Sequence, residues 1–143
     1  MVLQGWLGWA VASAIFAALT AIFAKVGLKG LDSDFATLFR TAVILIVLTG
    51  LVVATGKWRD PRTLERKTVI FLVLSALATS ASWSCYFRAL KLGNASQVAP
   101  VDKLSVVLVA IFAFAFLGER PTSREWIAIS LIGAGAVMLS LKR

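Results

Sequence analysis

Hydrophobic and polar positions along this chain separate into long blocks rather than alternating. Five apolar runs, each close to the ~20 residues that a membrane-crossing helix needs at 1.5 Å rise per residue, are divided by short polar breaks. The runs predict helices over 3–26, 35–55, 68–90, 95–117 and 125–141. The breaks, "GLKGLDSD", "GKWRDPRTLERK", "KLGN" and "GERPTSR", hold the Gly, Asp, Asn, Pro and charged residues that end helices. Backbone groups in lipid must be satisfied within each helix, and the breaks leave no room for a soluble domain. Residues 1–143 are therefore expected to form one all-α integral membrane domain, a bundle of five antiparallel transmembrane helices.

Composition agrees with that pattern. A hydrophobic share of 59% and a mean hydropathy of +0.88 exclude an ordinary water-soluble globular domain. The formal charge of +8 is spread through the breaks rather than gathered on one face, which indicates membrane orientation and no nucleic-acid partner. The first run lacks a basic leader and outlasts a signal-peptide core, so it is expected to be a retained span. With no His and only Cys85, no zinc, haem or iron–sulfur site is expected, no cofactor, and no catalytic residues. Cys85 is expected to be a small packing residue.

Three runs carry small residues at helical spacing. Ala10, Ala14, Ala17, Ala18 and Ala21 line the first, Ser75, Ala78, Ser82 and Cys85 the third, and Ser130, Gly133, Ala134 and Gly135 the fifth. Such rows let helices approach closely; on the third, a polar cavity lined by Ser82 and Trp83 is the alternative to plain packing. Trp6, Trp9, Trp58 and Trp126 fall near span ends, where indoles suit the interface, whereas Trp83 sits well inside its span.

An odd number of spans puts the termini on opposite sides. The face bearing the N-terminus then carries seven basic residues, Lys57, Arg59, Arg62, Arg66, Lys67, Arg120 and Arg124. The other carries five, Lys25, Lys29, Lys91, Lys142 and Arg143. The positive-inside rule gives only a slight bias toward a cytoplasmic N-terminus. So even a balance is compatible with insertion both ways up and pairing as an antiparallel homodimer, which reproduces the inverted repeat of many transporters.

Charge inside a span costs a few kcal/mol or more unless paired or hydrated. Arg40 lies roughly one turn into the second span and Arg88 near the end of the third, and both are long enough to snorkel. Asp102 and Lys103 lie roughly 10–12 Å into the fourth, too deep for a short Asp side chain to reach the headgroups. Adjacent residues on a regular helix diverge by roughly 100°, so the two are expected to face different partners. Pro100 lacks an N–H and crowds the carbonyl of Ser96, so the first turn and a half of this helix is expected to be distorted. Irregular backbone at that depth persists where it lines a cavity. The candidate substrate-binding or coupling residues are therefore Asp102, Lys103, Arg40, Pro100, Trp83 and Ser82. A structural ion pair of Asp102 with Arg40 or Arg88 is the alternative. Glu119, beside Arg120 and Arg124, is expected to order the turn after the fourth span. Three basic residues against one deep acid suit an anionic or zwitterionic solute, and a proton-coupled step would fall to Asp102.

The stretch "YFRALKLGNASQVAPVDKLSVVLVAIFAFAFLGERPTSREWIAISLIGAGAVML", Tyr86 to Leu139, resembles the signature half of an EamA domain of the drug/metabolite transporter superfamily. A third helix ends in an aromatic and Ala–Leu, and a short turn leads to a Pro-bearing fourth helix that closes with Leu117–Gly118–Glu119. A fifth helix bearing Gly133 and Gly135 follows. "FAKVGLKGLDSDFATLFRT" matches the family's opening, with Lys25 and Arg40 on its basic positions. Most EamA proteins carry two such domains and ten helices; this chain is similar to the single-domain, five-helix bacterial and archaeal branch, half of a ten-helix inverted-repeat transporter. The resemblance implies four helices around a central cavity, a peripheral fifth, and dimerisation. It implies no particular substrate, since the superfamily handles amino acids, sugars, nucleotide-linked sugars and cationic drugs. Unlike small multidrug resistance proteins, the chain has no mid-membrane Glu in its first helix. The expected function is a multi-pass permease of small polar metabolites or drugs in the prokaryotic plasma or inner membrane, working by alternating access in a homodimer. A non-transporting subunit that assembles with a larger partner is the alternative.

Overall fold

The computed structural model describes residues 3–141, so Lys142 and Arg143, counted above on the second face, lie outside the described residues. The regular elements among the described residues are all helical, with no strand. In chain order the helices are α1 (Leu3–Gly27), α2 (Ser33–Ala54), α3 (Arg66–Leu92), α4 (Ala95–Asp102), α5 (Ser105–Phe112) and α6 (Ser123–Ser140). A single 3-10 turn, Pro61–Thr63, lies between α2 and α3, and a π-helical turn, Ala113–Leu117, continues α5.

Four stretches have the length and apolarity to cross a membrane: Gly5–Gly27, Ser33–Ala54, Arg66–Leu92, and Ala95–Leu117, which joins α4, α5 and the π turn. The last long helix, α6, has 18 residues, roughly 27 Å. Its apolarity is diluted by Arg124 and Glu125 in the first turn and by Ser130, Gly133 and Gly135 beyond. The helix starts have local causes. Asp32 caps α2, its Oδ1 accepting from the N–H groups of Asp34 (2.9 Å) and Phe35 (3.1 Å). Those two bonds hold the Asp32 carboxyl below its ordinary range. Pro61 opens the 3-10 turn, where it has no N–H to satisfy, and Asp60 accepts from the Arg62 N–H at 2.9 Å.

The chain divides into two compact units. One is Phe23–Lys91, containing the last turn of α1, all of α2 and nearly all of α3. Its core is small: Ala24, Leu28, Ser33, Ala36, Phe87 and Leu90 are buried, Phe87 at 2% and Leu90 at 0% exposure. Small residues at 24, 33 and 36 let the backbones close around the two large side chains. Lys25 Nζ donates to the carbonyl of Leu90 in the last turn of α3, an acceptor left without a helical partner.

The other unit is Met1–Ile22 together with Leu92–Arg143. Here α4 and α5 pack on α6. The close approach falls at Gly133, where an added Cβ would lie 3.1 Å from Val107 Cγ2 on α5, and Ala113 and Ala136 are buried. Of the three small-residue rows in the sequence, the row on α6 is used at Gly133 and the row on α1 at Ala21, which is buried; Ala136, outside the expected row, is buried as well. By contrast Ala10, Ala14, Ala17 and Ala18 are exposed, as are Ser75, Ala78, Ser82 and Cys85. At most 11% of any of the four spanning windows is buried, so one copy leaves its flanks to lipid or to another chain.

The contact at Gly133 gives a stability test. Gly133→Leu would overpack the α5–α6 seam and is expected to destabilise by about 1–3 kcal/mol, seen as a lower thermal unfolding temperature in detergent. Gly133→Ala needs the Val107 methyl to shift only slightly, so it should fall much closer to the wild type.

Candidate functional site: charged residues within the spans

In the Phe23–Lys91 unit the candidate residues gather around Arg40. Its position on α2 is about 10 Å beyond Ser33, and it meets α3 at two rings one turn apart, as i and i+4 spacing allows. The guanidinium carbon lies 4.2 Å from the Phe87 ring centroid and 5.7 Å from that of Trp83. Phe87 is itself braced edge-on by Tyr86, at 5.5 Å and 66°. Arg40 therefore lies across aromatic faces instead of reaching for the headgroups, which explains why a Trp sits well inside the third span. Its Nη1 is buried and has no hydrogen-bond partner. Cation–π contacts of this kind contribute about 0.5–2 kcal/mol, less than the about 2.5–3.5 kcal/mol that a central Arg costs on insertion scales. Stacking alone does not balance the charge. Ser82 is exposed, roughly 100° round α3 from Trp83.

Arg88 has a partner that sequence reasoning did not identify. Its Nε and Nη2 donate to the two carboxylate oxygens of Asp34 at 3.2 and 2.6 Å, a two-pronged ion pair between the start of α2 and the end of α3. The sequence-based alternative of an Asp102–Arg88 pair is thereby corrected. The signal was available: the second and third spans run antiparallel, so the first turn of one and the last turn of the other lie on the same face. Phe87 was missed too, although it follows Trp83 by four residues.

Asp102, Lys103 and Pro100 belong to the other unit. Pro100 is tolerated inside α4, which is regular from Ala95 to Asp102. The distortion falls one turn later than expected. The N–H groups of Lys103, Leu104, Val106 and Val107 each bond the carbonyl three residues back, at 2.9–3.0 Å, so the chain tightens into a 3-10-like joint between α4 and α5. That joint also overturns the expectation that Asp102 and Lys103 diverge. Lys103 Nζ and Asp102 Oδ2 are 3.5 Å apart, a long ion pair whose side chains remain 56% and 37% exposed respectively. Asp102 is thus half-buried and Lys103 exposed, so neither charge is fully covered.

Gly118 ends the fourth span. Its φ of +69° is the left-handed geometry that glycine adopts without strain. It turns the chain so that the Glu119 N–H reaches the Ala113 carbonyl at 3.2 Å, which gives Leu117–Gly118–Glu119 a physical role as a helix stop. The following turn is tied by a reciprocal capping box. Thr122 N–H and Oγ1 donate to Glu125 Oε2 at 2.6 and 2.9 Å, while the Glu125 N–H returns to Thr122 Oγ1. The side chain that fastens the turn is thus Glu125, announced by the Thr-x-x-Glu spacing. Glu119 instead lines an open groove of about 420 Å³ with Arg120, Glu125 and an apolar wall that includes Val106, Val109 and Ile129.

Four helical stretches long and apolar enough to cross a membrane define a polytopic membrane protein. The chain matches the EamA-like transporter family over residues 4–141, and it belongs to that family. It is 56% identical over 138 residues, covering 96% of this chain and 98% of the other, to a Sinorhizobium sp protein described as an uncharacterized transporter in the cobO 3'region. It is 26% identical over 86 residues, 60% of this chain and 76% of the other, to a Hamiltonella defensa protein. That relative is described as the probable 4-amino-4-deoxy-L-arabinose-phosphoundecaprenol flippase subunit ArnE. No solved structure matches the chain.

The Arg88–Asp34 pair can be tested by charge exchange. Asp34→Arg or Arg88→Asp alone places like charges together and should reduce the yield of folded, monodisperse protein, whereas the combined exchange should recover most of it. Equal loss in both single variants and the double variant would remove the pair as the cause.

Proposed function

We propose that the protein is a secondary transporter of small polar solutes, built from two copies inserted in opposite orientations and working by alternating access. The observation that supports this reading most directly is the Asp102–Lys103 joint. Two charged side chains lie at the break between α4 and α5 and remain 37% and 56% exposed in one copy. Such exposure is tolerable at membrane depth only if water, solute or another chain covers them. A second copy supplies cover, and a joint of 3-10 turns is a natural place for a spanning helix to flex. The open small-residue rows on α1 and α3 supply surfaces for close helix approach by that copy. The near-balance of basic residues between the two faces fits insertion both ways up. In this mechanism Asp102 takes up and releases the coupling proton, Lys103 offsets its charge or meets the solute, and Pro100 keeps the helix start short of a hydrogen bond. Arg40 and Trp83 contribute a second contact, with Ser82 on the neighbouring face of α3.

A second reading has its own support, because the Hamiltonella defensa relative is named as a flippase subunit. By analogy this chain would complete a larger carrier by pairing with a related chain rather than with itself.

Purified protein in liposomes loaded with a pH-sensitive dye should couple proton movement to at least one member of an amino acid, sugar and sugar-phosphate panel. Asp102→Asn is expected to reduce coupled flux at least tenfold while chromatographic dimer and unfolding temperature are unchanged. Wild-type flux from Asp102→Asn would reject the coupling role. No flux from the wild type, together with co-purification of a related chain, would favour the subunit reading.

A further inference from the structure

We infer that the Nη1 edge of Arg40 is the docking point for an oxyanion, a carboxylate or a phosphate carried by the solute, a conclusion that rests on the transporter reading above. A guanidinium has five N–H donors in a planar fork. The Arg40 guanidinium carbon lies 4.2 Å from the Phe87 ring centroid and 5.7 Å from that of Trp83, contacts that use none of its N–H groups as conventional hydrogen-bond donors. Nη1, on one edge, is buried without an acceptor. Buried charged donors are almost always paired, so an orphan of this kind calls for a missing partner.

No acid of the same unit supplies it. Asp34 is taken by Arg88 through both carboxylate oxygens, and it lies six residues before Arg40, roughly 9 Å back along α2. Asp32 caps the same helix with two backbone N–H groups. Asp60 and Glu65 follow the far end of α2. A water molecule would satisfy the donor but not the charge. Planar, two-oxygen acceptors match the guanidinium edge, and contact with the Phe87 and Trp83 rings helps orient the fork. Neutral sugars and cationic drugs offer no such group. The site therefore favours solutes with a carboxylate or phosphate, whether free in water or borne on a lipid.

Thermal unfolding of the purified dimer separates these sources. One arm titrates sodium phosphate and sodium acetate in a neutral detergent against sodium chloride at equal ionic strength. The other compares nanodiscs of pure phosphatidylcholine with nanodiscs containing phosphatidylglycerol. Saturable stabilisation is expected in at least one arm, the first indicating a soluble oxyanion and the second a lipid-borne one. In Arg40→Gln the response should weaken by about ten- to a hundredfold, the loss of a charge-assisted hydrogen bond. If Arg40→Gln does not fold, Arg40→Lys carries the test. It keeps the charge but not the fork, and about tenfold weaker binding is expected. No oxyanion response in either arm, or an unchanged response in the variant tested, would overturn the inference. Coupled flux that persists without any oxyanion response removes this inference alone, whereas an Arg40-dependent response without flux removes the transport reading alone.

Discussion

Charge placed in hydrocarbon must be met by something, and most of what distinguishes this chain from a simple set of apolar spans follows from how it meets that requirement. Arg88 is met by Asp34 in a two-pronged pair at the border of the spans. Lys25 is met by the Leu90 carbonyl in the last turn of α3. Arg40 is met by two aromatic rings but not at Nη1, and Asp102 and Lys103 form a long ion pair with each other, at 3.5 Å. The first two arrangements are complete within one unit and read as structural. The last two are incomplete, and an incomplete charge in a transporter family is a natural place for solute, proton or a second chain.

Backbone irregularity is concentrated in the fourth span, which carries Asp102 and Lys103. The fourth span is not one helix: it tightens into 3-10-like turns at Lys103 and Leu104 and widens into a π turn at Ala113–Leu117. Each departure frees or redirects carbonyls that a regular helix would occupy. Gly118 and the Thr122–Glu125 box then fix the exit of the span and the entry of α6. The fourth span is thus broken part-way along its length and fixed at its far end.

The spans were legible because hydrophobic blocks of about 20 residues have almost no other use, and the polar breaks marked their ends. The charged positions were legible for the complementary reason that Asp102, Lys103 and Arg40 stand out against an apolar background. Partnerships were less so. Asp34 and Arg88 are 54 positions apart, and only the antiparallel course of their helices brings them together. The position of the break in the fourth span was misjudged by a turn: Pro100 removes a donor near the start of α4, but the helix accommodates that loss and yields at the Asp102–Lys103 step instead. The capping role of Glu125 was written in its spacing from Thr122 and passed unnoticed beside the more conspicuous Glu119.

The central claim is that two copies of this chain, inserted in opposite senses, complete one another. Thr63 lies in the 3-10 turn between α2 and α3, outside the spans, so Thr63→Cys on a Cys85→Ala background places one thiol in a loop. Labelling of that thiol in intact cells by a membrane-impermeant maleimide, relative to lysed cells, reads orientation directly. Labelling of about half the molecules is the result that antiparallel pairing of identical chains predicts. Labelling near zero or near complete would mean a single orientation and would contradict it.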